Sequence, residues 1–306
     1  MTAIASQTLA QTPAATGDVH GLATPTGHDV NVSVSGYRYN EPGTTSISIS
    51  GAKIGGEYTG TFALNPRTHW FLQGDFRGTF GNTTYNGWCS PFFIAPNSSS
   101  PNGYEVDIGD PSPCDESGDR DWYVEGRALI GKDLIRDRWG FAPFSGVGVR
   151  HLSNGVTGVV GYRTDDYLYL PVGLTARTTV GSQQHALSLT VEVDALLHGW
   201  QKTRDSQLGS GVIPATTIAP AFSIDGFTDI SFTQKSGWAP RASVKYQLTK
   251  MLWLEPYYVY WNVSASPVNY ETLTFTVNNI TAHEQRGAYE PDNNTHEFGV
   301  KVGLHF

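Results

Sequence analysis

Residues 296–306 read HEFGVKVGLHF, and their alternation decides the fold. Phe298, Val300, Val302, Leu304 and Phe306 fall on one side of an extended chain, while Glu297, Gly299, Lys301, Gly303 and His305 fall on the other. A strict period of two is a strand signal, since successive side chains of a strand point to opposite faces. The same pattern recurs upstream. In 237–248, Trp238, Pro240, Ala242, Val244, Tyr246 and Leu248 oppose Arg241, Ser243, Lys245 and Gln247. In 186–195, Leu187, Leu189, Val191, Val193 and Ala195 oppose Ser188, Thr190, Glu192 and Asp194. No segment sustains a helical period, so the chain reads as all-β.

Alternation predicts ten strands, over 28–40, 50–64, 68–81, 121–133, 140–152, 160–176, 183–197, 229–248, 251–263 and 294–306. Each is long enough to cross an apolar band of ~25–30 Å when tilted by ~40°. The connections 65–67, 134–139, 177–182 and 249–250 are short, whereas 82–120, 198–228 and 264–293 are long and all fall at the other end. Short turns at one end and long loops at the other form the pattern of a bacterial transmembrane barrel. The expected architecture is a ten-stranded antiparallel up-and-down β-barrel over 28–306, with eight or twelve strands as neighbouring counts. Residues 1–27 read as a leader remnant or a flexible N-terminus, with a small-residue site at Thr8-Leu9-Ala10.

The composition agrees with this reading. Of 306 residues, 16% are charged and 39% hydrophobic, with 34 glycines and a net charge of −8. The acidic balance argues against a nucleic-acid partner, and no apolar run approaches the ~20 residues of a membrane helix. Alternation reconciles mild hydrophilicity with a membrane: one face of each strand meets lipid and the other lines a polar lumen. By parity, the lumen receives Glu57, Asp75, Arg77, Glu125, Arg127, Arg150, Glu192, Asp194, Arg241, Lys245, Glu255 and Lys301. Acids and bases are equal in number, which points to mutual neutralisation and an occluded lumen. A charge-selective pore would show one sign in excess. The lipid face receives small residues (Gly56, Gly60, Gly74, Gly78, Gly126) and aromatics near strand ends (Trp70, Phe80, Trp122, Tyr258, Tyr260, Phe306), the latter as interfacial girdles. Arg38 shares the apolar parity of Val32 and Val34, so it lies above the membrane or a bulge shifts its register.

Cys89 and Cys114 fall in one long loop, and an even pair in an exported segment predicts a disulfide stabilising that loop by ~3 kcal/mol. The same loop carries Asp107, Asp110, Asp115, Glu116, Asp119 and Asp121. They lack the spacing of a calcium loop, so neither a metal nor a cofactor is expected. They read as a solvated acidic surface, with cation-bridged lipopolysaccharide as the other reading.

Three stretches carry a resemblance. The segment HEFGVKVGLHF resembles the terminal signal by which Gram-negative outer-membrane β-barrels are recognised by their assembly machinery, with Phe298, Val300, Val302, Leu304 and Phe306 as its alternating positions. GYRYNEP (36–42) and GYRTDDYLYLPVGL (161–174) resemble a proteobacterial outer-membrane barrel family of poorly defined function. The resemblance implies a bacterial outer-membrane location, contact with lipid and lipopolysaccharide, and biogenesis through that machinery. It attaches no activity.

The layout is also similar, distantly, to omptin proteases, ten-stranded barrels with acidic residues and an Asp-x-His pair at the extracellular rim. Asp119-Arg120-Asp121-Trp122 resembles the acidic element, but Asp205 has no histidine two residues on. His151 and His198 are candidate rim residues without a placed partner. The expectation is therefore a non-enzymatic barrel with a structural or surface-interaction role, its unknown extracellular ligand bound by loops 82–120, 198–228 and 264–293. A narrow small-solute pore is the first alternative and an omptin-like rim hydrolase the second.

Overall fold

Ten long strands close on themselves: β1 (Gly27–Glu41), β2 (Ile47–Asn65), β3 (Trp70–Cys89), β4 (Ser112–Lys132), β5 (Trp139–Gly155), β6 (Tyr162–Val180), β7 (His185–Arg204), β8 in two segments (Ile230–Gln234 and Gly237–Gln247), β9 (Leu252–Val263) and β10 (Asn293–His305). This is a computed structural model, and it describes residues 22–43, 47–65, 67–155, 162–181, 185–208, 210–217 and 219–306. The expectation for residues 1–21, and Gly161 of the second resemblance stretch, lie outside the described residues. Each strand pairs antiparallel with its neighbour in sequence, and β1 closes the ring on β10 from Asp29↔His305 to Asn40↔Asn294. Closure removes the exposed edges that an open sheet would leave for aggregation.

The two faces invert the soluble pattern. Along β1, Val30, Val32 and Val34 are exposed, Val32 at 66%, while Asn31, Ser33 and Ser35 are buried. Along β10, Phe298 is 63% exposed and Glu297 2%. A barrel in water would bury its valines and expose its glutamates. This one keeps an apolar belt outside and a polar interior, as lipid demands.

Rings of aromatic and imidazole groups border the belt. At the end with the short turns, His28 packs against Tyr58, Phe62 and Phe306. At the loop end, Trp122 meets His151, His198 meets Trp200, and Tyr260 meets both Trp238 and His296. From Phe306 to His296 is about ten residues at ~3.3 Å each, which at a ~40° tilt spans roughly 25 Å, the height of an outer-membrane apolar band. Arg38 pairs in register with His296 and Ser50 without a bulge, so it stands outward at the level of this upper girdle, where its Nε donates to Asn40 Oδ1 at 2.8 Å.

The strands reach well beyond the segments that alternation predicts at the loop end. β3 and β4 stay paired from Trp70↔Lys132 out to Cys89↔Ser112. The disulfide joins Cys89 and Cys114 across this extension, rather than within a free loop. Gly118, at φ 89°, supplies the extra residue where the register shifts between Thr83 and Thr84.

What alternation leaves as three long loops is a folded cap. Phe92–Pro96 pairs with Tyr104–Ile108, and Gly211–Ile213, Phe222–Phe227, Asn269–Val277 and Ile280–Ala288 form a four-stranded sheet. Its last hairpin turns on Asn278 and Asn279, at φ 51° and 64°, the paired left-handed residues of a type I′ turn. Ile94 and Val106 from the first loop, Phe222 and Ile224 from the second, and Leu273, Phe275, Val277 and Ala282 from the third share one buried core. These loops hold one another in place by burying apolar surface, as small domains do.

At the opposite end, residues 22–26 run across the barrel mouth. Leu22 packs its carbonyl against Gly140, and Thr24 donates to Asp133 through both its N–H (3.0 Å) and its hydroxyl (2.7 Å).

Candidate functional site

The lumen is the place where chemistry-bearing side chains converge, and they stack in tiers from the turn end to the cap. In the first tier Asp29 accepts from Lys245 Nζ (3.0 Å) and Trp253 Nε1 (2.9 Å), with His305 Nδ1 at 3.2 Å. Beside it, Arg177 approaches Asp133 at 3.4 Å.

The second tier holds most of the residues that parity sends inward. Lys301 lies between Glu57 (2.6 Å) and Glu255 (3.2 Å). Arg127 lies between Asp75 (2.8 Å) and Glu192 (2.8 Å). Arg241 contacts Asp194 (2.5 Å), Glu192 (3.5 Å) and Glu125. Each cation faces two or more carboxylates from different strands, so the guanidinium and ammonium donors cross-link the wall. Burying such charges is expensive in isolation, and sharing several partners offsets that cost. A chamber of about 80 Å³ lies among them, and a larger space opens from Arg127 and Lys301 toward the turn end.

The third tier contains partners that inward parity alone does not pair. Arg77 binds Glu297 at 2.6 Å, and Glu297 also accepts from Tyr257 (2.7 Å) and Tyr123 (2.7 Å). Lys53 and Asp121 form a fully buried pair, and Asn154 Nδ2 donates to the second Asp121 oxygen at 2.9 Å. Arg150 makes no ion pair among the described residues; its guanidinium lies 4.0 Å over the Tyr123 ring and 5.7 Å from Trp261, a cation–π arrangement. Tyr169 and Tyr257 fill the space between tiers, and Gly148 and Gly303 give Tyr169 and Trp253 room that a Cβ would take away. Aromatic rings as well as charges thus occupy the interior at this level.

The uppermost tier fastens the cap to the barrel. Arg163 of β6 lies 3.3 Å from Glu41 of β1 and 3.3 Å from Glu290, which ends the cap's return to β10. Tyr39 Oη lies 2.7 Å from Glu41 and 3.0 Å from Glu290, and Gln201 Nε2 donates to Glu290 at 2.7 Å. Asp165 sits 4.0 Å from the same guanidinium. Burial raises the Glu290 carboxyl above its usual range, Arg163 works against that, and Glu41 adds to it.

Sequence reasoning missed Asp29, Lys53, Glu297, Arg163, Glu41 and Glu290 as network members. For Glu297 the signal is plain: it stands on the polar parity of the final strand. Gln201 is different. A bulge between Leu196 and His198 switches the inward parity of β7, so Gln201 faces the lumen while Trp200 faces out.

Of the candidate rim histidines, His198 packs at a tilt against Trp200 outside the barrel. His151 Nδ1 contacts Asp166 Oδ1 at 2.6 Å, on the outer girdle beside Trp122. Neither shares a cleft with Asp121. Among the described residues no group of His, Cys, Asp and Glu is arranged to hold a metal ion.

No protein-family model matches the chain, and no curated protein sequence matches it. Among solved structures the chain is similar to the outer membrane protease OmpT of Escherichia coli, at 11% identity and TM-score 0.47 over 94% of this chain and 100% of that one. It is also similar to an outer membrane channel from Pseudomonas putida F1, at 10% identity and TM-score 0.35 over 95% and 100%. The translocator domain of the autotransporter NalP from Neisseria meningitidis matches at 8% identity and TM-score 0.32 over 92% and 90%. The chain's own closed ring, apolar belt and paired girdles set its class: it is a ten-stranded transmembrane β-barrel of the outer-membrane type.

Proposed function

We propose that the protein is a closed surface barrel, a structural and binding scaffold that holds its cap outward and passes no solute. The supporting observation is the series of buried tiers between the turn end and the cap, in which cations bridge carboxylates of different strands around a chamber of about 80 Å³. Its partners on this reading are outer-membrane lipid and lipopolysaccharide around the belt, the barrel-assembly machinery during insertion, and an extracellular ligand on the cap, where loops on a rigid scaffold carry recognition.

The reading includes no catalysis. Asp121, the acid of the rim element, is engaged by Lys53 and Asn154, and the His151–Asp166 pair faces the membrane interface. A narrow pore is the second reading, favoured by the large space at the turn end.

Planar-bilayer recording of the purified barrel tests the proposal. The expected trace is flat at moderate voltage. Stable unitary currents in the wild-type protein refute it, and currents that arise only after Arg127→Ala place the closure in the second tier.

A further inference from the structure

Below the second tier the lumen widens into a vestibule of about 1160 Å³, reaching from the Arg127 and Lys301 tier to the turn end. That exceeds the ~300–1,000 Å³ usual for small-molecule sites. We infer that this vestibule is a binding site for a neutral, polyhydroxylated solute from the periplasmic side, a short oligosaccharide.

Charge comes first. The acids on the wall already have partners: Asp29 has Lys245, Trp253 and His305; Glu57 and Glu255 have Lys301; Glu192 has Arg127. A cationic ligand would have to break these pairs and leave a charge uncompensated, and an anionic ligand drawn to Lys250 at the mouth would lie against the same carboxylates. A neutral ligand leaves them intact.

The remaining wall is suited to hydroxyl groups. Thr59, Thr61, Thr175, Ser188 and Ser243 point small hydroxyls inward from β2, β6, β7 and β8. Each hydroxyl donates and accepts, as a sugar hydroxyl does. Asn31, only 6% exposed, has an Oδ1 with no hydrogen-bond partner and lines the same space. A buried acceptor of this kind calls for an O–H or N–H donor, which a carboxylate or a phosphodiester lacks. Phe144, beside the buried Phe71 and Leu129, supplies apolar surface for the C–H face of a ring. The site is independent of the closed-barrel reading, since it needs only the vestibule.

The test is titration calorimetry of the full barrel in detergent with maltotriose, and with trialanine as a zwitterionic comparator of similar length. Saturable binding of maltotriose and weaker or undetectable binding of trialanine are expected. Ser188→Trp fills the vestibule near its mouth and should weaken maltotriose binding at least about tenfold. Asn31→Ala, which adds no bulk, should weaken it about fivefold, the worth of one hydrogen bond. Val191→Trp, on the lipid face of the same strand, should bind as wild type. Failure of maltotriose to saturate, equal or tighter binding of trialanine, or full affinity in Ser188→Trp overturns the inference. Conductance on the same preparation is read separately: channels would refute the closed barrel and leave this site standing.

Discussion

Replacing Glu297 by alanine is the sharpest test of what holds the lumen together. The carboxylate is 2% exposed and accepts from the Arg77 guanidinium at 2.6 Å and from the hydroxyls of Tyr257 and Tyr123 at 2.7 Å each. Its loss leaves a buried arginine uncompensated, with a second guanidinium, that of Arg150, also against the Tyr123 ring. Breaking one side of a buried pair costs ~3–5 kcal/mol, and the stranded tyrosine hydroxyls keep the value at the upper end of that range. The double variant Arg77→Met/Glu297→Leu removes both charges at similar volume. It should cost only ~1–2 kcal/mol, because no ion is left without a partner. The assay is reversible urea unfolding in lipid vesicles, followed by tryptophan fluorescence and by gel mobility with and without heating. A Glu297→Ala variant no less stable than the double variant would refute the reasoning that paired charge, rather than packing volume, maintains this tier.

The cap should fail independently of the barrel. Leu273, fully buried in the shared core of the three loops, should cost ~2–5 kcal/mol of cap stability as alanine. Limited proteolysis should then cut within 198–228 and 264–293, while heat-modifiable migration of the barrel persists; simultaneous loss of both would contradict the division. Cap stability should also depend on pH through Glu271. Burial raises its carboxyl to about 7, with Asp205 beside it adding to the effect and Arg286 opposing it. A carboxyl whose folded pKa lies above its unfolded value binds more protons folded, so cap stability should fall as pH rises from the ordinary carboxylate range through about 7. Half-exposure makes the change modest. Hydrogen exchange of Asn269–Val277, corrected for intrinsic rates, should show this slope in wild type and not in Glu271→Gln.

Much of the barrel is legible in one dimension. Period-two alternation marks every wall strand, and the residues it turns inward include those of the second tier, from Glu57 to Lys301. Part of the cap is legible as well. Leu273, Phe275 and Val277 alternate with threonines ahead of Asn278-Asn279, a hairpin signal that a loop reading passes over. Other features leave no local trace. Parity assigns Glu297 a face, but Arg77 becomes its partner only when β10 closes on β1 and brings together residues 220 apart in sequence.

By itself, then, the sequence determined the class of fold, which side of each strand meets lipid, and which end carries the loops. Alternation and spacing are local properties of an extended chain, and each residue declares its face. The tertiary structure alone decided which inward charges meet, that a bulge at Leu196/His198 turns Gln201 inward toward Glu290, and that three loops distant in sequence share one core. Those outcomes depend on register and ring closure, where a one-residue shift reverses every face and changes every partner.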